Sequence, residues 1–154
     1  MICRKGEWKM ESKRGIPVSI HLKTEVRQEN EAEEFLFDIS GQVIRMGNTL
    51  YIRYKEEQED GTPPVPVTMK IFPDGAIQLT RSGETHSRLK FIYGKSFETT
   101  YKTPYGTIFL TTYTKDLHFT LNDHPMSGKV TVAYDLFMAE QKVGSYDLLL
   151  EFSA

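Results

Sequence analysis

Arg81 follows Ile77 and Leu79 at two-residue intervals, so in an extended chain all three side chains point to the same side. If the isoleucine and leucine face a core, the guanidinium does too. A charge so placed must find a carboxylate, backbone carbonyls or a ligand anion, because leaving it buried and unpaired is costly. One reading makes Arg81 an anchor for a carboxylate or phosphate head group, near the mouth of a cavity. The other makes it structural, paired within the protein or with its head group reaching water. Tyr54, Tyr93 and Tyr101 lie on the apolar parity of their segments, and Tyr105 sits beside Pro104 in a turn. Together they would offer hydroxyls along a cavity wall, or serve as ordinary core.

Other chemistry finds little support. His21, His86, His118 and His124 are scattered, with no pair at metal-ligand spacing. Glu56, Glu57, Glu59 and Asp60 form an acidic run without the alternating oxygens around a glycine that calcium requires. There is no nucleophile elbow, phosphate-cradling glycine loop or dinucleotide fingerprint. No catalytic residue, metal or cofactor is assigned. Arg27, Arg45, Arg53, Lys70, Arg88 and Lys90 alternate on the polar parity, some near Tyr51 and Phe72. Such interleaving can hold single-stranded nucleic acid, but the acidic balance of the chain favours a solvated face protected against aggregation.

The elements that would position these side chains read as strands. Val18, Ile20, Leu22, Thr24 and Val26 alternate with Ser19, His21, Lys23, Glu25 and Arg27, the period of a sheet with one buried face. Further strands are predicted at residues 34–46, 50–55, 67–72, 76–81, 86–93, 97–102, 107–114, 117–121, 130–138 and 144–152. Gly41, inside the second, is expected to mark a bend or bulge. Residues 56–66 form an irregular loop rich in acid and proline, and residues 122–128 a polar one. Pro73-Asp74-Gly75 and Thr103-Pro104-Tyr105-Gly106 carry turn chemistry. No stretch supports three turns of helix. Regular short strands joined by hairpins predict an all-β, single antiparallel up-and-down barrel of roughly eight to ten strands.

The 154 residues suit one domain, and the net charge of −2 supplies no general basic field for nucleic acid or an anionic membrane. A single cysteine, Cys3, excludes an internal disulfide or a thiol metal site and suits a reducing compartment. With no apolar leader and no run of about 20 apolar residues for a membrane helix, the expectation is a cytoplasmic protein without a membrane span. Residues 1–14 form a charged arm without periodicity, leaving residues 15–154 as the barrel domain. Lys5-Gly6-Glu7 can be encoded by a purine-rich ribosome-binding sequence, with Trp8-Lys9 as spacer, so translation from Met10 is the reading preferred over a disordered tail or partner-binding arm.

Several segments carry a family likeness: Ile16-Pro17-Val18, Leu50-Tyr51-Ile52-Arg53-Tyr54-Lys55-Glu56, Arg81-Ser82-Gly83, Thr103-Pro104-Tyr105-Gly106-Thr107 and the closing residues 128–150. In these the chain resembles the YwiB-like proteins, a bacterial family of unknown function. The resemblance covers nearly everything after Gly15 and implies a calycin-type barrel, similar to lipocalins and fatty-acid-binding proteins. It implies no activity.

The function expected is therefore non-enzymatic. In the leading form a small, partly apolar or anionic molecule enters the barrel near Arg81, Tyr54, Tyr93, Tyr101 and Tyr105. In the alternative the barrel is solid and meets a protein partner through residues 56–66 or exposed aromatic surface. Nucleic acid ranks below both.

Overall fold

The computed structural model describes residues 15–58, 61–83 and 86–154. Ten strands follow one another in chain order: β1 (Ile16–Gln28), β2 (Glu31–Met46), β3 (Thr49–Glu56), β4 (Val65–Ile71), β5 (Ile77–Ser82), β6 (His86–Phe91), β7 (Ser96–Thr103), β8 (Gly106–Asp123), β9 (Met126–Met138) and β10 (Gln141–Ser153). Each pairs antiparallel with its neighbours in sequence, and β1 also pairs with β10, so the sheet closes. This is the predicted up-and-down barrel. Among the described residues no helix is long and apolar enough to cross a membrane. The readings of the arm, including Met10 as a start, lie outside the described residues.

Alternation decides what the barrel encloses. Val18, Ile20 and Leu22 of β1 face Phe152, Leu150, Val130 and Val132 of β10 and β9, and Ile52, Met69, Ile77, Leu79 and Phe91 come from the opposite wall. All are buried, most of them fully. Removing a side chain of this size from water stabilises by about 1.5–3 kcal/mol. A barrel of this strand number is narrow enough for its own side chains to fill, and this waist is packed with them.

Four details depart from the predicted pattern. Residues 107–114 and 117–121 belong to one strand, β8, because a bulge between Thr114 and Asp116 shifts the register without ending the pairing to β9. The expected loop at residues 122–128 shrinks to a two-residue turn, His124-Pro125, since Asp123 still pairs with Met126. Its peptide bond is cis. Gly41 carries no register shift toward either neighbour. It is needed for close approach: a Cβ there would lie 2.5 Å from the Arg53 carbonyl oxygen and from Ile20 Cδ1. Pro66, predicted to delay pairing until Val67, stands inside β4 opposite Lys55. The ladder to β5 begins only at Val67, so the missing N–H leaves no partner unsatisfied there.

The wall is uneven. β1, β2, β8, β9 and β10 run for 13 to 18 residues, whereas β3 to β7 run for 6 to 8. β2 pairs with β3 only along residues 41–46, and β6 meets β7 at two pairs, His86–Lys102 and Ser87–Tyr101. Below those pairs β8 bridges the gap. Thr112 Oγ1 donates to the Lys90 carbonyl at 3.1 Å, and Thr114 exchanges backbone bonds with Gly94 and Lys95. Among the described residues the split between β2 and β3 has no such bridge from β1, and the upper part of β2 has no ladder partner on that edge.

Candidate functional site

In an up-and-down barrel the C-termini of the odd-numbered strands share one end, here termed the upper rim. One register line runs around it: Gly41, Tyr54, Val67, Arg81, Ser87, Tyr101 and Ile108, from β2 to β8. Three of the five side chains singled out from the sequence, Tyr54, Arg81 and Tyr101, therefore sit at one level with their side chains inward.

Arg81 is held by protein. Its Nε donates to Glu56 Oε1 at 3.0 Å and its Nη2 to Oε2 at 3.1 Å, a fork that uses both carboxylate oxygens. The Arg81 side chain is 38% exposed and that of Glu56 21%. Burial works against the guanidinium charge, and the Glu56 hydrogen bonds and charge outweigh it, so the arginine is held more firmly protonated than usual. Of the two readings of Arg81, the internal pair is the one this geometry satisfies.

Tyr54 and Tyr134 flank the pair and are buried. Burial pushes both phenols well above the usual tyrosine range, with the nearby Arg81 charge pulling the other way. Among the described residues the Tyr54 hydroxyl has no hydrogen-bond partner. Tyr134 stacks on Tyr146 with ring centres 5.1 Å apart and tilts against Phe91 at 4.6 Å. These rings and the Arg81–Glu56 fork cap the packed waist. Tyr93 and Tyr105 do not join them. β6 ends at Phe91, leaving Tyr93 exposed in the connection at the opposite end, and Tyr105 is fully exposed in the β7–β8 turn. Gly106 in that turn adopts φ +134°, confirming its conformational role.

Sequence reasoning passed over a second feature. Glu34-Phe35-Leu36-Phe37-Asp38 breaks strict alternation with three consecutive apolar residues, and that break was the available signal. Phe35 and Phe37 pair with Thr24 and Leu22 of β1, on the inward parity, yet they are 42% and 40% exposed. The reason is that β3 leaves the ladder at Gly41, below them. Leu36, on the outer parity, is 57% exposed. At the root of the split an open cleft of about 620 Å³ is lined by Ile39, Gly41, Tyr54, Lys55, Glu57 and Val67.

The basic outer face is also ordered. Arg53 and Lys70 lie over the Tyr51 ring at 5.8 and 5.3 Å, and Lys70 and Lys90 over Phe72 at 4.8 and 5.9 Å. Each ring is already occupied by the protein's own cation, which leaves little stacking platform for a base. Among the described residues no group of three metal-ligating side chains occurs. His21 pairs with Asp38 at 2.8 Å and His118 with Asp116 at 3.0 Å.

Fold and site together define a closed, side-chain-filled antiparallel β-barrel protein with a capped rim and, among the described residues, a long stretch of β2 without a ladder partner on one side. Residues 20–150 match a family described as a domain of unknown function, DUF1934, and the chain belongs to that family. It is 24% identical over 140 residues to the uncharacterized β-barrel protein YwiB of Bacillus subtilis (strain 168), covering 91% of this chain and 95% of that one. It also superposes on the crystal structure of the YwiB protein from Bacillus subtilis with a TM-score of 0.78 at 24% identity, over 90% of this chain and 91% of the other. The family resemblance read from the sequence is thereby shown, and so is the barrel.

Proposed function

We propose that this protein is a non-enzymatic interaction module, a solid barrel that engages a protein partner through its upper rim. The observation that carries this reading is the run Phe35-Leu36-Phe37, exposed on a part of β2 that, among the described residues, has no ladder partner on one side. Consecutive large apolar side chains on a bare sheet edge are an aggregation hazard, and a partner that covers them removes it. A packed waist and an Arg81 already forked by Glu56 support this reading over a small molecule inside the barrel.

The test is photo-crosslinking in the native cell with p-benzoylphenylalanine in place of Leu36, and in place of Arg88 as a control on the outer face of β6. A discrete protein adduct from position 36 and none from position 88 is the result expected. A stoichiometric small molecule in native mass spectra of the cell-derived protein, with no adduct at 36, would overturn the reading.

A further inference from the structure

We propose that the bare edge of β2 is a strand-addition site for an extended partner segment of alternating basic and apolar residues. This rests on the interaction reading above and names the chemistry of the partner. Among the described residues, residues 31–40 pair with β1 on one side only, so the other edge offers a row of unpaired backbone N–H and C=O groups. Extended peptides recognise such edges by main-chain hydrogen bonds and gain specificity from alternate side chains. Phe35 and Phe37 face inward, Leu36 outward, so an added strand meets apolar surface on both faces.

The split between β2 and β3 shapes the site. Its cleft of about 620 Å³ has apolar walls from Ile39, Val67 and the Tyr54 ring. A strand laid against residues 31–40 begins directly above this cleft and directs an apolar side chain into it. It would also restore the neighbour that β2 loses when β3 ends.

Charge selects the segment. Glu31 and Glu33 on the edge strand and Glu57 on the opposite lip have no cationic partner among the described residues. Glu34 and Asp38 meet only the exposed Lys23, at 3.4 Å, and His21. The cleft lining itself carries two cations, Lys55 and Arg53, beside Glu57, so it suits the segment's apolar side chain, and the acidic surface is the strand above it, Glu31, Glu33, Glu34 and Asp38. A basic segment complements this surface. A second copy paired antiparallel about Leu36 complements it less well, because that register sets Glu34 against Asp38 twice, and like charges directly opposite destabilise a sheet.

The experiment titrates the full chain with the acetylated, amidated peptide Lys-Val-Lys-Ile-Lys-Val-Lys and its all-glutamate counterpart, by calorimetry and amide hydrogen exchange. The lysine peptide is expected to bind, the glutamate peptide at least about tenfold more weakly, with affinity falling as salt screens the charges. Alternate amides within residues 31–40 gain protection. The F35S/F37S variant, changed at side chains about 40% exposed, keeps the circular dichroism spectrum and cooperative unfolding of the parent, at a lower melting temperature, and binds at least about tenfold more weakly. Equal binding of both peptides, or binding without protection of residues 31–40, would overturn the proposal. So would a concentration-dependent dimer that the peptide dissolves and F35S/F37S abolishes, which would assign the edge to a second copy. Failure of the lysine peptide alongside a discrete crosslink at position 36 would remove strand addition while the interaction reading stands.

Discussion

Replacing Glu56 with Gln removes the charge that Arg81 was built against while keeping one acceptor in place. The cost follows from exposure. Breaking a fully buried ion pair costs about 3–5 kcal/mol, whereas exposed pairs are worth about 0–1 kcal/mol. With side chains 38% and 21% exposed and two hydrogen bonds of 3.0 and 3.1 Å, this pair lies between, nearer the lower bound. The loss comes to about 1–2 kcal/mol after allowance for solvent screening. For a chain of this size each kcal/mol moves the melting temperature by roughly 2–4 °C, so E56Q should melt about 2–8 °C below the parent. Thermal unfolding followed by circular dichroism measures it. The double variant E56L/R81M deletes both charges at similar volume and should recover most of the loss. If E56Q melts within about 1 °C of the parent, the fork contributes nothing, and Arg81 must be supported by something other than Glu56. That result would revive the ligand-anchor reading.

Three further outcomes follow from particular contacts. Gly41→Ala drives a methyl to 2.5 Å from the Arg53 carbonyl and Ile20 Cδ1, and should lower urea-unfolding stability by about 1–3 kcal/mol. Tyr54 and Tyr134 hold their protons above the ordinary value of 10.0 because burial disfavours the phenolate. The unfolded chain therefore loses protons first, so stability is full below about pH 10 and falls above it. An alkaline titration at 295 nm should show these two of the eight tyrosines ionising only as the protein unfolds. At Asp135 burial raises the carboxyl, but the Ser145 hydrogen bond and the Lys115 and Lys142 charges lower it more. Its stabilisation is thus present above about pH 4 and lost as pH falls through the depressed folded-state value. Ser145→Ala should be about 1 kcal/mol less stable than the parent at pH 7, and the difference should shrink in acid denaturation curves taken below pH 3.

Most of the barrel was legible because a closed sheet repeats one rule along the chain. The alternation from Val18 to Val26, the turn at Pro73-Asp74-Gly75 and the hairpin spacing are local properties, and side-chain parity follows from extended geometry alone. That rule also put Tyr54, Arg81 and Tyr101 on the inward face. It failed where a strand boundary was decided by a neighbour. Tyr93 shares the inward parity of Leu89 and Phe91, but β6 ends at Phe91 and parity has no meaning beyond the strand. Residues 107–121 looked like two strands because a bulge and a strand break leave the same interruption in the pattern.

What the sequence determined by itself, then, was which faces are apolar, and with it an all-β barrel with inward-pointing Arg81. Which groups meet across the barrel was a matter for tertiary structure. Glu56 lies 25 residues before Arg81 and reads as part of an acidic loop, yet register across β3, β4 and β5 brings its carboxylate to the guanidinium. The exposure of Phe35, Leu36 and Phe37 is likewise invisible in their own segment. It arises because β3 is half the length of β2 and stops pairing at Gly41, and partner length is a long-range property that local hydrophobic pattern does not encode.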